Sequence, residues 1–228
     1  MPIRRTLALV TATGLSVLMA ALSAPSASAV PSTNAPSTAP SAATLGTKSL
    51  AAVLTSDGNQ FDNDWNDYDI ATEAILAVIA AKPGSAVAVL ANGSTPVTAF
   101  LPTDRAFQVL ARNLTGQWIY GEKRLFNALV AAAGVDAIES ILLYHVVPGA
   151  TITSSDALRS AGAKLQTALP GATFKVNVIS RYYTVVKLQD NDPSDPDPYL
   201  IPAALDINKG NRQIAHGITA VLRPLDLP

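Results

Sequence analysis

The run of residues 98–107 constrains the fold of this 228-residue chain more than any other stretch. Residues 97–101 are mostly apolar and typical of a strand, and Pro102 has no N–H group with which to continue a hydrogen-bonded ladder. Thr103 and Asp104 carry side-chain oxygens that can cap a helix. The next apolar residues repeat at helical spacing: Phe107, Leu110, Ala111 and Leu114. The run therefore predicts a strand, a sharp stop and a helix.

The first 47 residues indicate an export segment followed by a spacer. Arg4 and Arg5 precede an uncharged stretch, and Ala27-Ser28-Ala29 matches a cleavage site, so residues 1–29 are typical of a secretory signal peptide. A membrane anchor is the alternative for this stretch, but we expect no membrane span after cleavage. Residues 30–47 are mostly Pro, Ser, Thr and Ala, which predicts a disordered leader before a domain at 48–228.

The chain contains no cysteine, which excludes disulfides, a thiol nucleophile and cysteine-ligated zinc. An exported chain of this kind must be stabilised by its core alone, and about 180 residues are enough for one core. The formal net charge is -1, and removal of Arg4 and Arg5 with the signal peptide would make it -3. A mildly acidic chain binds polyanions poorly, so we expect no nucleic acid as a partner.

Apolar patterning predicts helices in the first part of the chain and strands in the last part. The predicted helices cover residues 48–55, 70–81, 125–133 and 135–146, with Gly134 separating the last two. The predicted strands after them cover residues 172–178, 183–188, 199–207 and 218–222. This order indicates an α+β domain with a mostly antiparallel sheet.

Two further stretches complete a family pattern. The chain contains Leu143-Tyr144-His145-Val146-Val147-Pro148-Gly149, and residues 216–222 read His-Gly-Ile-Thr-Ala-Val-Leu. With the first run, these stretches resemble the signature motifs of the fasciclin (FAS1) domain, although Arg212 and Gln213 stand where the family usually has an Asn-Gly pair. The first motif is matched by Thr98, Phe100, Pro102, Thr103, Asp104, Ala106 and Phe107. His216 opens the closing motif.

The resemblance implies a wedge-shaped, mostly antiparallel β-sandwich with helices packed along one side. It also implies adhesion or interaction at a cell surface or in a matrix, with a protein or polysaccharide as partner and no cofactor. The alanine-rich signal peptide indicates a bacterial, single-domain, secreted or cell-surface member. Some secreted members bind carotenoids, so a carrier of an apolar small molecule is the alternative function.

Tyr144 and His145 are the candidate partner-binding residues. In animal members of the family the Tyr-His stretch is implicated in integrin binding, which motivates this assignment. The helical spacing offers a structural alternative, because His145 shares one face with Ile138, Ile141 and Leu142. A histidine on an apolar face is more often a hydrogen-bonded core residue, so we favour a role in fixing the corner between helix and strand.

Catalysis has little support in the sequence. The chain has only two histidines, His145 and His216, and it contains neither a Gly-x-Ser-x-Gly turn nor a His-Glu-x-x-His pair. We therefore predict that the protein is not an enzyme. A hydrolase with a triad of distant residues is the second alternative, because chain order does not define a triad.

Two acidic segments are candidates for metal binding. Asp62, Asp64, Asn66 and Glu73 have the spacing of positions 1, 3, 5 and 12 in an EF-hand calcium loop. Asp67 occupies position 6, where glycine normally permits the sharp turn, so we favour coincidence in an acidic loop. The second segment contains four aspartates and three prolines, and we interpret it as a solvated loop that blunts a strand edge: Asp190, Asp192, Asp195 and Asp197.

Overall fold

The structure is a computed structural model that describes residues 44–58 and 60–225. The predicted signal peptide (1–29) and most of the predicted leader (30–47) lie outside the described residues. The described α-helices are α1 Leu50–Leu54, α2 Asp69–Ala81, α3 Asp104–Thr115, α4 Glu122–Tyr144 and α5 Ser154–Arg159. The described strands are β1 Val97–Pro102, β2 Val146–Pro148, β3 Lys164–Gln166, β4 Thr173–Ser180, β5 Val185–Gln189 and β6 Gln213–Ile218. Short 3₁₀ helices occur at Ala86–Ala91 and Pro202–Ala204.

The strands form two three-stranded sheets, in the orders β2-β1-β6 and β3-β4-β5. In the first sheet β1 is antiparallel to β2 and parallel to β6, whereas the second sheet is antiparallel throughout. The predicted α+β class is confirmed, because helices and small sheets are both present. The expected β-sandwich is not confirmed, since the strands make two small sheets of three strands each.

Strand β1 is the central strand of the first sheet, and all six of its residues are buried. On one face Val97, Ala99 and Leu101 pack in a cluster with apolar residues of α1, α2 and α4. On the other face Phe100 packs with residues of β4 and β5, and its ring meets Phe174 edge to face at 5.2 Å. A strand covered on both faces needs a mostly apolar run, and the sequence shows one in which Thr98 is satisfied by hydrogen bonds.

Helix α4 is broken at Gly134, as the sequence predicted. Gly134 has φ 73° and ψ 167°, a conformation that only glycine adopts at little cost. By length and composition α4 is apolar enough to cross a membrane, and it is the one such helix among the described residues. The break leaves helical segments at 122–133 and 135–144, each shorter than the roughly 20 residues that a membrane span needs.

The start of α3 corrects one prediction about capping. Thr103 occupies the N-cap position, but its side chain makes no capping hydrogen bond. Asp104 uses its Oδ1 to accept from the Ile70 backbone N–H at 3.0 Å, in the first turn of α2. The carboxylate therefore caps a neighbouring helix and not its own, which local sequence reasoning could not anticipate.

Two strands near the C-terminus were predicted wrongly. Within 199–207, Tyr199 and Leu200 form only isolated bridges, and Pro202 then begins a 3₁₀ turn. Proline lacks the N–H that a strand interior requires, so the ladder cannot continue through it. The last strand lies at 213–218 instead of 218–222, because its register is set by pairing with β1 and not by its own apolar pattern.

Gln213, at the start of β6, connects three segments of the chain. Its side chain is fully buried, its Oε1 accepts from the Leu50 N–H at 2.8 Å, and its Nε2 donates to the carbonyls of Val89 at 2.7 Å and Asn92 at 2.9 Å. One amide thus ties the start of α1 and the end of the 3₁₀ helix to the first sheet.

We predict that Gln213→Ala lowers the free energy of unfolding by at least about 2 kcal/mol, because it leaves the buried Leu50 N–H without a partner and removes the side-chain bonds to the carbonyls of Val89 and Asn92. Gln117→Ala is the matched control, since Gln117 is exposed, and it should unfold like the wild type. Urea denaturation followed by circular dichroism measures both values. Equal midpoints for the two variants would contradict the role assigned to Gln213.

Candidate functional site

The residues of the first motif lie inside the protein. Thr98, Asp104 and Phe107 are buried, as are the other matched residues: Phe100, Pro102, Thr103 and Ala106. The Thr98 hydroxyl donates to the Ala150 carbonyl at 2.8 Å and accepts from the Ile152 N–H at 2.8 Å. Thr98 thus joins β1 to the segment that follows β2.

Tyr144 and His145 lie inside the protein, with 0% and 4% of their surface exposed. The Tyr144 hydroxyl donates to the Thr173 carbonyl at 2.9 Å, which joins α4 to β4. His145 Nδ1 lies 2.8 Å from the Ile141 carbonyl, and its Nε2 accepts from the Leu222 N–H at 2.9 Å. Their burial supports the structural interpretation of the Tyr-His stretch, and the partner-binding role stays a prediction.

The two histidines have defined and opposite tautomers. Since a carbonyl only accepts and an N–H only donates, His145 carries its proton on Nδ1. His216 accepts from the Asp206 N–H through Nδ1 and donates to the Ile152 carbonyl through Nε2, so its proton is on Nε2. Burial lowers the pKa of His145 to about 4 and also lowers the pKa of His216. Both rings are neutral connectors at pH 7.

The four residues with EF-hand spacing are not brought together as a set. Asp64 lies in an exposed turn, where its Oδ1 accepts from the Asn66 N–H. Of the four, only Asp62 belongs to a group of described acidic residues whose oxygens lie within ligand distance of one another, and its companions there are Asp67 and Asp69.

A different acidic group forms where the loop at 61–68 meets the starts of three helices. Its members are Asp67 of the loop, Asp104 at the start of α3 and Glu122 at the start of α4, and their nearest oxygens lie within 4.8 Å of one another. Asp104 and Glu122 are almost fully buried. We call these three residues the acidic cluster, and it is one of two groups of described residues that could hold a metal ion.

The sequence patterns did not predict the acidic cluster. An acidic residue in the first turn of a helix is common, because it interacts favourably with the positive end of the helix dipole. Asp104 and Glu122 therefore carry no separate signal of their own, and only the fold brings them to Asp67.

Three carboxyl groups in and beside the cluster have raised pKa values: Asp67, Asp69 and Asp104. Burial raises the pKa of Asp104 to about 8 against the opposing effect of the Ile70 N–H bond, and the charge of Asp67 adds to the rise. Burial also raises the pKa of Asp67 to about 6. Burial, followed by the charge of Asp67, raises the pKa of Asp69 to about 6. The carboxylates repel one another, and this part of the protein holds protons at neutral pH.

The second acidic segment has positively charged partners. The Arg223 guanidinium forms ion pairs with Asp192 and Asp195, and Lys187 pairs with Asp197 at 2.7 Å. Asp190 accepts from the Arg223 N–H at 2.8 Å. Ion pairs thus attach the segment to the rest of the protein, whereas we expected a loop that is only solvated.

A surface cleft of about 600 Å³ lies beside the loop at 61–68. It combines polar side chains with apolar ones, and its lining is Asn66, Tyr68, Thr103, Arg105, Ile201, Ala203, Ala204 and Thr219. We call it the Tyr68 cleft. A second cavity of about 350 Å³ shares Tyr68, Ala203 and Ala204 as part of its lining. The two cavities provide an extended concave surface in the described part of the chain.

Gly217 allows Tyr68 to take its place in this surface. A Cβ atom on Gly217 would lie 2.3 Å from the Tyr68 hydroxyl and 2.7 Å from the Ala204 Cβ, which are both impossible contacts. Steric contact therefore explains why the closing motif has a glycine here: without a Cβ atom, it lets the tyrosine and the 3₁₀ turn approach β6.

An apolar groove lies between α2, α3 and α4, and only apolar residues line it, among them Ile70, Phe107, Phe126 and Ile141. The space inside it is about 40 Å³. Pockets for small organic ligands usually enclose about 300–1,000 Å³. The groove in this conformation is therefore too small for an elongated apolar molecule.

Comparison with known proteins agrees with the resemblance noted in the sequence. A family model described as the fasciclin domain matches residues 75–224. Among solved structures, the chain is similar to a FAS1 domain pair from the insect cell adhesion molecule fasciclin I, with 18% sequence identity and a TM-score of 0.47. That match covers 72% of this chain and 49% of the insect chain, so the chain spans about half the length of that protein. The comparison with curated proteins found no match.

We predict that His145→Ala lowers the free energy of unfolding by about 2–4 kcal/mol, since it leaves the Leu222 N–H without a partner in a buried cavity and removes the side-chain bond to the Ile141 carbonyl. His145→Gln retains a donor and an acceptor and should lose less. Thermal unfolding measures both variants. If His145→Ala left the melting temperature unchanged but abolished attachment to cells, the partner-binding role would be supported and the structural role would be wrong.

We predict that chelator-treated protein becomes less stable from about pH 7 to about 9. Asp104 has a folded pKa of about 8 and an ordinary value of 3.8, so the folded state binds more protons than the unfolded state in this range. The free energy of unfolding then falls as the pH rises. His145 contributes little there, because both its folded value of about 4 and its ordinary value of 6.5 lie below the range.

Urea denaturation at several pH values measures this dependence. Asp67→Asn should make the decrease smaller, because removing the neighbouring charge lowers the pKa of Asp104. Asp64→Asn is the matched control in the same loop and should keep the wild-type slope. A free energy of unfolding that stays constant over this range would show that the buried carboxyls do not hold protons.

Proposed function

The chain belongs to the fasciclin domain family, and we propose that it is a secreted or cell-surface binding protein that mediates adhesion or interaction with a matrix. The charged start, uncharged stretch and Ala-Ser-Ala site in residues 1–29 support export. The composition of that segment supports a bacterial source, and the absence of a sequence repeat supports a single domain. Sequencing the N-terminus of protein recovered from host culture tests the export step, with Val30 as the expected first residue.

The Tyr68 cleft is the observation that carries the binding role. Its volume of about 600 Å³ falls in the range of ligand sites, and its lining offers a guanidinium, an amide and hydroxyls beside an aromatic ring. Polysaccharide hydroxyls and peptide groups both bind to such donors and acceptors, while sugar rings and apolar side chains pack on aromatic rings. We therefore propose a segment of a matrix polysaccharide or protein as the ligand, and no cofactor.

The positions of the histidines support a role without catalysis. A general base needs a ring nitrogen within hydrogen-bond reach of the substrate. In His145 and His216 both ring nitrogens are already bound to backbone groups inside the protein. A hydrolase that used histidine would have to break these bonds, so we rank the hydrolase last.

A carrier of an apolar small molecule is the weaker alternative. The apolar groove between α2, α3 and α4 has a suitable lining, but its roughly 40 Å³ must expand about tenfold to reach the usual range. Solvent extraction of protein purified from its host, followed by mass spectrometry, tests this function. A stoichiometric apolar compound would favour the carrier over the adhesion protein.

We predict that Ala203→Trp abolishes saturable binding of the labelled full chain to host cells and to insoluble matrix polymers. Ala203 is exposed on the wall of the Tyr68 cleft, so the indole fills the cleft without removing a hydrogen bond. Ala161→Trp, at an exposed alanine outside the cleft lining, is the matched control and should bind like the wild type.

Melting temperatures of both variants should remain close to that of the wild type, which separates loss of binding from loss of fold. If Ala203→Trp still binds, the cleft is not the binding site. If the wild-type protein itself does not bind cells or matrix polymers, the proposed adhesion function is wrong.

A further inference from the structure

The acidic cluster has more carboxylate oxygens than the surrounding protein has donors. Asp104 Oδ1 accepts from the Ile70 N–H at 3.0 Å, and Glu122 Oε2 accepts from the Asn63 N–H at 2.9 Å. The second oxygen of each of these carboxylates is buried without a hydrogen-bond partner, and so is Oδ1 of Asp67. Three buried acceptors therefore face one small region.

The positive ends of helices explain only part of this arrangement. Asp104 and Glu122 begin α3 and α4, where a negative charge is favourable. However, the backbone N–H groups bind one oxygen of each carboxylate and leave the other. Asp69 provides a second, separate observation: it is 97% buried, its Oδ2 has no partner, and it lies within ligand distance of Asp67.

The described part of the protein supplies no positive side chain to the cluster. None of the ion pairs between described residues includes Asp67, Asp104 or Glu122. Arg105 is the next residue after Asp104, but its guanidinium lies over the Trp65 ring and donates to Gln108. Buried carboxylates without a counter-charge are costly, so the site needs either protons or a cation from solvent.

We propose that Asp67, Asp104 and Glu122 bind a calcium ion, with Asp69 or Asp62 as a further ligand. Two oxygens that each lie about 2.4 Å from one ion are at most about 4.8 Å apart, and the oxygens of the cluster satisfy this limit. The ligands are all oxygen atoms, which excludes the nitrogen and sulfur sites that zinc prefers. Asp62 is exposed and Asp67 is half-buried, so the ion enters from the side of the loop.

Calcium fits this site better than magnesium. Calcium accepts six to eight oxygen ligands in flexible geometry, whereas magnesium requires a near-ideal octahedron and usually keeps several waters. Magnesium is usually bound through one or two carboxylates, whereas this site brings together at least three. The proposed site also differs from the EF-hand spacing, because Asp64, Asn66 and Glu73 take no part in it.

Isothermal titration of the chelator-treated full chain with calcium chloride tests the proposal. We expect one ion per chain and a rise in melting temperature with calcium concentration, because an ion that binds only the folded state stabilises it. Terbium is a second probe: Trp65 lies in the same loop, so excitation of tryptophan should sensitise terbium emission that calcium competes away. No heat, no thermal shift and no sensitised emission would overturn the proposal.

Three variants locate the ion. Asp67→Asn and Glu122→Gln each remove one ligand charge and should weaken calcium binding by about tenfold or more. Two variants are used so that one of them still reports if the other fails to fold. Asp64→Asn is the matched control in the same loop, and its affinity should stay within about twofold of the wild type.

The opposite pattern would contradict the site. If Asp64→Asn abolished binding while Asp67→Asn and Glu122→Gln retained it, calcium would occupy a loop of the EF-hand type instead. The titration does not depend on the adhesion partner, so the cation site and the proposed function can fail independently.

Discussion

The parallel pairing of β1 with β6 is the contact on which the rest of the structure depends. Six residues of Val97–Pro102 pair with six of Gln213–Ile218, across more than one hundred residues of intervening chain. Bringing such distant segments together has a cost in loop entropy, and the chain has no disulfide with which to reduce it. The pairing is therefore maintained by burial of both faces of β1 and by side chains that bind neighbouring segments. Gln213 is the most connected of these.

The family motifs follow from this constraint. Thr98 binds the segment after β2, Tyr144 binds β4, and His145 and His216 bind backbone groups 77 and 64 residues away in sequence. Each histidine ring binds two backbone groups, donating a hydrogen bond to one and accepting a hydrogen bond from the other. A motif of this kind marks the points where distant segments are joined, and it can therefore be shared by proteins with different ligands.

Local sequence reasoning succeeded where one segment determines its own structure and failed where distant segments decide. The helix at 70–81 and the break at Gly134 were predicted, because apolar spacing and a glycine are local signals. The strand at 199–207 was wrong because Pro202 outweighs the apolar pattern. The departure at Gln213 looked like a loss of the family motif, yet the structure gives this residue a connecting role that no single segment reveals. The acidic cluster could not be predicted, since two helix starts and one loop must first meet.

The loop at 61–68 links the two surfaces with the strongest functional features. Asn66 and Tyr68 line the Tyr68 cleft, whereas Asp67 between them turns to the acidic cluster. The start of α3 repeats this division, with Thr103 and Arg105 on the cleft and Asp104 in the cluster. The backbone carbonyls of Trp65 and Asp67 accept from the first N–H groups of α3, at 2.9 Å and 3.1 Å, so the two segments are directly joined. Charge repulsion within the cluster therefore acts on the wall of the cleft, and whatever neutralises that charge also stabilises that wall.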